Sequence, residues 1–334
     1  MKLVMTLRTH DQEDIIDAVL SFHLNIGVDY VIATDHRSQD GTVDILEEYA
    51  RAGVLHLIRE YGEEVRGREW RTRMARMAAV EHGADWTFSC DGDEFWWPHG
   101  NNLKEVLSAT PKEFGVVLGL VRHFLPISAR DAAFAERMTV RFSPAAPLNN
   151  PLSPYRPYEK VAHRGDPGVV VHRGNHHLHA SRHAVLRSWY PIEVLHFPVR
   201  SAEQAKAKNL AWARVFGAHA LGTHLTTARS EQRGDVDEYV ATFVLPERVV
   251  QRGLAEGSLV EDVRLRDFLR QLARTNGGPY IATAERSDRH LPVMRRDLTS
   301  WLRDRQSVLD RRTLALVGSV DQLNRRIEAL ETLL

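Results

Sequence analysis

The chain has 334 residues, enough to bury a full-sized core, with 44 acidic and 44 basic residues in balance. No global field therefore favours nucleic acid or an anionic membrane, and any anion site must be local. The lone cysteine, Cys90, excludes an intrachain disulfide framework and a cysteine-based zinc cluster.

In chain order, KLVMTL reads as a short buried strand and EDIIDAVLSFHLNIG as a helix that stops at Gly27. VDYVIATD is a second strand ending on Asp35, HRSQDGT a polar turn, TVDILEEYARAG a second helix and VLHLIRE a third strand. EWRTRMARMAAVEHGA makes a third helix and DWTFSC a further buried strand. Repeated βα units of this length predict an α/β fold with an open, mostly parallel sheet flanked by helices. Ligands bind such sheets beyond the carboxyl ends of the strands, where Asp35 and Asp91 both fall.

Beyond residue 115 the pattern loosens: GVVLGLVRHF and EVLHFPV read as strands, and prolines crowd the segment between them. Residues 202–216 and 246–275 read as mainly helical. In the tail, Leu302, Leu309, Leu316, Leu323 and Leu330 recur every seventh residue, with Val320, Ile327 and Leu334 on the companion positions. This is either a coiled coil, hence a homodimer contact, or a long amphipathic helix lying on its own domain. The expected organisation is a catalytic domain over 1–215, a helical region over 216–290 and an amphipathic C-terminal helix over 291–334. The chain opens on a strand rather than a leader, and nowhere approaches about 18 consecutive apolar residues. Those features predict a cytoplasmic protein without a transmembrane segment, free or peripheral to a membrane.

FSCDGDEFWWP, residues 88–98, crowds Asp91, Asp93 and Glu94 among four aromatic residues. Carboxylates in so apolar a setting need a positive partner. In an extended chain Asp91 and Asp93 project to one side, with Gly92 leaving room between them. Two oxygen donors beside open space suit Mn2+ or Mg2+, with water and phosphate oxygens completing the shell. Arg73 and Arg76, on the helix before this strand, either reach those phosphates or form a solvated face. Trp96 and Trp97 either stack on a sugar or fill the core.

The motif Asp91-Gly92-Asp93-Glu94-Phe95 after an apolar strand, together with RTHDQEDIIDAVLSFHLNIGVDYVIATDHRSQDGT, resembles the family 2-like glycosyltransferases of the GT-A fold, in particular their DxDEF subgroup. The likeness spans residues 1–100 and resumes at HFPVRSAEQAKAK, residues 196–208. It departs from the family's Asn-Glu after the first strand, where this chain reads Thr9-His10-Asp11-Gln12-Glu13. The resemblance implies a metal-dependent transfer of sugar from a nucleoside diphosphate sugar to an acceptor. By it, Asp35 meets the base, Arg8 sits near the nucleotide, Asp91 meets the ribose or the metal, and Asp93 and His196 hold the metal. Arg200, Ser201 and Lys208 would meet the diphosphate. An inverting reaction would also need a carboxylate base, for which Glu136, Glu159, Asp166 and Glu193 are candidates, with Asp131 beside them. The same acids would serve a phosphoesterase or nucleotidyltransferase, and a non-catalytic scaffold presenting the tail is the third reading. In HRGNHHLHASRH, His172 with His176 or His179 with His183 would suit zinc on a helix. Gly174 and Asn175 disfavour a helix there, and the segment reads instead as a polar loop at the acceptor site.

Overall fold

The computed structural model describes residues 1–100, 102–127, 133–143, 158–186, 189–217 and 222–276. The heptad tail and Asp131 lie outside the described residues.

The N-terminal half alternates as expected: β1 (Leu3–Thr9), α1 (Ile16–Asn25), β2 (Tyr30–His36), α2 (Thr42–Arg51), β3 (Leu55–Glu60), α3 (Gly67–Val80) and β4 (Trp86–Asp91). Then follow β5 (Glu94–Pro98), α4 (Leu103–Ser108), β6 (Phe114–His123), α5 (Phe134–Arg137), β7 (Val140–Phe142) and β8 (Glu159–Arg164). A small hairpin of β9 (Val170–Val171) and β10 (Leu178–Ala180) precedes β11 (Ala184–Leu186) and β12 (Ile192–His196). The last described elements are α6 (Ala202–Phe216), α7 (Gly222–Arg233), α8 (Val236–Ala241), α9 (Glu247–Glu256), β13 (Leu259–Glu261) and α10 (Arg264–Asn276).

The main sheet runs β3-β2-β1-β4-β8-β6-β12-β5, with β11 beside β6. Strands β3, β2, β1 and β4 are mutually parallel, as are β6, β11 and β12, while β8 and β5 enter antiparallel. The expected α/β class, a mostly parallel sheet flanked by helices, is therefore the one found. Alternation along β1 explains the layering. Leu3, Met5 and Leu7 join the core beneath α1 and α2, whereas Val4 faces Met74 and Ala78 of α3 on the other side.

β5 is an edge strand, at the opposite end from β3. His23 on α1 covers it by accepting from the Trp96 backbone N–H through Nε2 at 3.1 Å, while its own Nδ1 bonds the Val19 carbonyl. Burial lowers the pKa of this imidazole to about 3, so it stays neutral and can accept. Trp96 is fully buried against Phe88, and Trp97 packs on Phe22 and on Phe268 of α10. Both indoles fill the core rather than a ligand cleft. Among the described residues, no helix is long and apolar enough to cross a membrane.

Candidate active site

The register of the parallel strands brings chain segments far apart in sequence to one edge. Arg8 lies opposite Asp91, and Thr9 opposite Asp35, so the carboxyl ends of β1, β2 and β4 form one rim. On the far side His196 ends β12 beside His123 at the end of β6. Between them lies a cavity of ≈ 310 Å³ whose lining includes Arg8, Asp11, Asp91, Gly92, Asp93, Lys160, His176, His196, Lys208 and Trp212.

β4 stops at Asp91, and Gly92 and Asp93 form a turn into β5, so the two aspartates meet different partners. This corrects the expectation of two carboxylates side by side on a continuing strand. Asp91 Oδ1 accepts from Arg71 Nη2 and lies 3.7 Å from Arg8 Nη2, while its Oδ2 accepts from Lys160 Nζ at 2.9 Å. Burial raises the Asp91 pKa, but Arg71, Lys160 and Arg8 outweigh it and hold the carboxyl well below the usual range. Lys160, itself 2% exposed, also lies 2.7 Å from Glu94 Oε1. The positive charge that residues 88–98 demand is thus supplied in large part by the chain itself.

Asp93 turns toward the later segment. Its Oδ2 accepts from Lys208 Nζ at 2.7 Å, and its Oδ1 lies 3.4 Å from His196 Nε2. Behind the imidazole, His196 Nδ1 is within 3.1 Å of both His123 Nδ1 and Tyr158 Oη. A proton on Nδ1 would leave the Nε2 lone pair pointing toward the Asp93 carboxylate, the polarity of a metal-ligating histidine. Asp93 and His196 therefore fit a hard or borderline divalent cation, one oxygen and one nitrogen with room for water and phosphate. Asp91 does not fit the same role, because both of its oxygens are held by cationic side chains.

Arg8 is the cation best placed for a ligand. Its guanidinium sits 5.0 Å from the Trp212 ring, and its buried Nε finds no hydrogen-bond partner among the described residues. Burial and the adjacent Arg71 lower its pKa to about 10, against the pull of Asp91 and Asp93. It remains charged at neutral pH.

The other predicted residues fall elsewhere. Asp35 is buried and accepts from Ser38 through both its backbone N–H and its hydroxyl, so it shapes the turn after β2. Ser201 caps α6 by accepting from the Gln204 N–H. Arg76 donates to the Val169 carbonyl and faces a cavity on the outer side of α3, away from the aspartates. None of the four expected bases lines the cavity. Glu136 is paired with Arg270, and Glu193 is buried between Arg122 and Arg264. Asp166 accepts from the Gly168 N–H, and Glu159 from the Tyr190 hydroxyl.

Arg200 is a clamp rather than a cavity residue. It is 1% exposed and donates to both oxygens of Asp14, to Gln12 Oε1 and to the Phe197 carbonyl. Lysine cannot reproduce that planar fork. Arg200→Lys is expected to lose about 2 kcal/mol of stability, seen as a lower urea midpoint at unchanged slope, with nucleotide affinity per folded molecule unchanged. Unchanged stability with a tenfold loss of nucleotide affinity would instead make Arg200 a phosphate ligand, as the resemblance implies.

Sequence reasoning overlooked Arg71, Lys160, Tyr158 and Trp212. Arg71 was accessible to it: Gly67, Trp70, Arg71, Met74, Ala75 and Ala78 form the buried stripe of α3, and Arg71 is the charged residue on that stripe. Arg73 and Arg76 lie off it.

No protein-family model matches the sequence, and no curated protein matches it. Among solved structures, the chain is similar to residues 1–349 of S. aureus TarS at 16% identity, over 69% of this chain and 70% of that one, with a TM-score of 0.34. The same TarS fragment in complex with UDP-GlcNAc gives 16% identity over 69% of this chain and 71% of that one, with a TM-score of 0.35. Glucosyl-3-phosphoglycerate synthase from Mycobacterium tuberculosis, in complex with Mn2+, UDP-glucose and glycerol 3-phosphate, is 19% identical over 37% of this chain and 44% of that one, at a TM-score of 0.25. None of these superposes closely enough to transfer a residue's role.

Proposed function

We propose that this protein is a metal-dependent glycosyltransferase that moves a sugar from a nucleoside diphosphate sugar to an acceptor hydroxyl. One observation supports the reading most. Arg8, Asp93, His196 and Lys208, which the sequence resemblance assigns to donor and metal, come from three separate stretches of the chain and line one cavity beyond the strand ends.

The chemistry follows from the charges. As the sugar–phosphate bond breaks, negative charge grows on the leaving diphosphate, and cations already fixed in place stabilise that change without reorganising. Arg8 and Lys208, both lining the cavity, are placed to supply them. Asp93 and His196 would hold Mn2+ or Mg2+, which when bound adds Lewis-acid stabilisation of the same oxygens. Asp91 acts through its partners: it fixes the orientation of Arg8 and Lys160 and screens their mutual repulsion. For the acceptor, Asp11 is the cavity-lining carboxylate with no Arg or Lys ion pair among the described residues. Its Oδ1 accepts from the Gln39 N–H at 2.7 Å and its Oδ2 lies 3.4 Å from His10 Nε2. It is the base this reading favours for an inverting reaction, in place of the four expected carboxylates.

Calorimetric titration with a panel of nucleoside diphosphates, with Mn2+ and then with chelator, is the deciding experiment. Saturable binding that the chelator weakens at least tenfold is expected, and the preferred base identifies the donor class. Hydrolysis of a bound nucleotide with no sugar acceptor would favour the phosphoesterase reading. Absence of binding to every nucleotide would overturn the enzymatic one.

A further inference from the structure

The β9–β10 hairpin carries a cluster that the nucleotide cavity does not use. Val171 pairs with Leu178, so His172 and His177 stand opposite one another across the ladder, and the His172 N–H donates to the His177 carbonyl at 3.1 Å. His179 sits at the register irregularity between Leu178 and Ala180, which turns its ring toward the other two. The ring centroids accordingly lie 3.9 Å apart for His172 and His177, 4.9 Å for His172 and His179, and 5.0 Å for His177 and His179. One nitrogen from each ring falls within 4.8 Å of the other two. The zinc alternative considered from sequence required a helix, which Gly174 and Asn175 disfavour; the hairpin achieves the convergence without one.

From this geometry we propose that His172, His177 and His179 form a zinc site, separate from the Mn2+ or Mg2+ site of the cavity. Three neutral imidazole nitrogens and no carboxylate are a donor set for zinc and its neighbours in the transition series rather than for magnesium. Zinc–nitrogen bonds of about 2.0–2.1 Å require the three nitrogens to draw closer than they stand, which rotation of the exposed His179 permits. Water would complete a tetrahedral shell. Among the described residues the buried His172 Nδ1 has no hydrogen bond of normal geometry, and an ion would give it a partner.

The platform is already rigid. Asn175 is 1% exposed, holds a positive φ of 60°, and donates its side-chain amide to the Ser89 and Val161 carbonyls. The Val171 N–H donates to Thr72 on α3. The turn between the ligands carries Gly174 and His176, both of which line the nucleotide cavity. An ion at the base of the hairpin would thus fix one wall of that cavity, giving it a positioning role rather than a catalytic one.

The test uses the full-length, tag-free protein, stripped with chelator, loaded with Zn2+ and desalted before metal analysis, with Co2+ absorption as a second probe. The wild type and Asp93→Asn are expected to retain one zinc each and to give the d–d spectrum of tetrahedral Co2+. His179→Asn, which alters an exposed side chain, and His177→Asn should bind Zn2+ about 100-fold more weakly while keeping the wild-type circular dichroism spectrum. Retention of zinc at wild-type affinity by both histidine variants would overturn the site. So would loss of zinc in Asp93→Asn alone, since the ion would then belong to the cavity.

Discussion

Donor turnover by Asp93→Asn is expected to fall about 10³-fold, with the folded state preserved. Asparagine keeps the shape of the side chain but removes the charge that Lys208 Nζ meets at 2.7 Å and that His196 Nε2 faces at 3.4 Å. Two losses combine: the oxygen ligand of the proposed cation becomes a weak neutral donor, and the Lys208 ammonium loses the anion that orients it. Steady-state kinetics at several Mn2+ concentrations would check this, and a variant within tenfold of wild type at low metal would remove Asp93 from the machinery. The pH dependence is set by the same contacts. Burial alone raises the Asp93 pKa, but Lys208, joined by His196 when its Nε2 carries a proton, outweighs it and depresses the pKa well below the usual range. A depressed carboxylate contributes stability above its unfolded pKa of about 3.9, and loses it as pH falls through the lower folded value. The stability deficit of Asp93→Asn should therefore be present at neutral pH and shrink below about pH 4.

The first three βα units and the strand after them were legible because each βα unit is a local pattern: an apolar run, an amphipathic stretch and a glycine stop. Arg8, Asp91, Asp93, His196 and Lys208 were legible as candidates through the motif likeness and their places near element ends. What could not be read was which carboxylate meets which cation. That depends on the turn at Gly92 and Asp93, which interrupts the extended chain between the two aspartates and sends them to separate partners. It depends also on β8, which enters antiparallel between β4 and β6 and delivers Lys160 beneath Asp91. No local signal marks a lysine in EKVAHR as buried, because its neutralising partners lie nearly 70 residues away. That none of the four expected bases lines the cavity was equally hidden. Glu193 looks available on an isolated strand, yet Arg122 beside it on β6 and Arg264 from α10 hold it well below the usual carboxylate range despite its burial.

Lys160→Met is expected to destabilise the fold by about 3–5 kcal/mol, the cost of removing one partner from a buried ionic cluster. Lys160 Nζ lies between Asp91 Oδ2 at 2.9 Å and Glu94 Oε1 at 2.7 Å, and both the ammonium and Glu94 are essentially without solvent contact. Burial disfavours the lysine charge, but Asp91 and Glu94 outweigh it and raise its pKa, so the wild-type cluster contributes fully below about pH 10.4 and weakens only above it. In the variant Asp91 keeps Arg71 and Arg8, whereas Glu94 loses the cation closest to it. The Glu94 pKa is already raised by burial, partly offset by Lys160, and without that offset it must rise further. An acid with a raised folded pKa prefers to fold protonated, so the deficit should be largest at neutral and higher pH and narrow as pH falls toward about 4.3. Denaturant melts of wild type and variant at pH 8 and pH 5 would measure that narrowing. A deficit equal at the two pH values would mean that Glu94 does not depend on Lys160 for its charge, and that the methionine fails through packing alone.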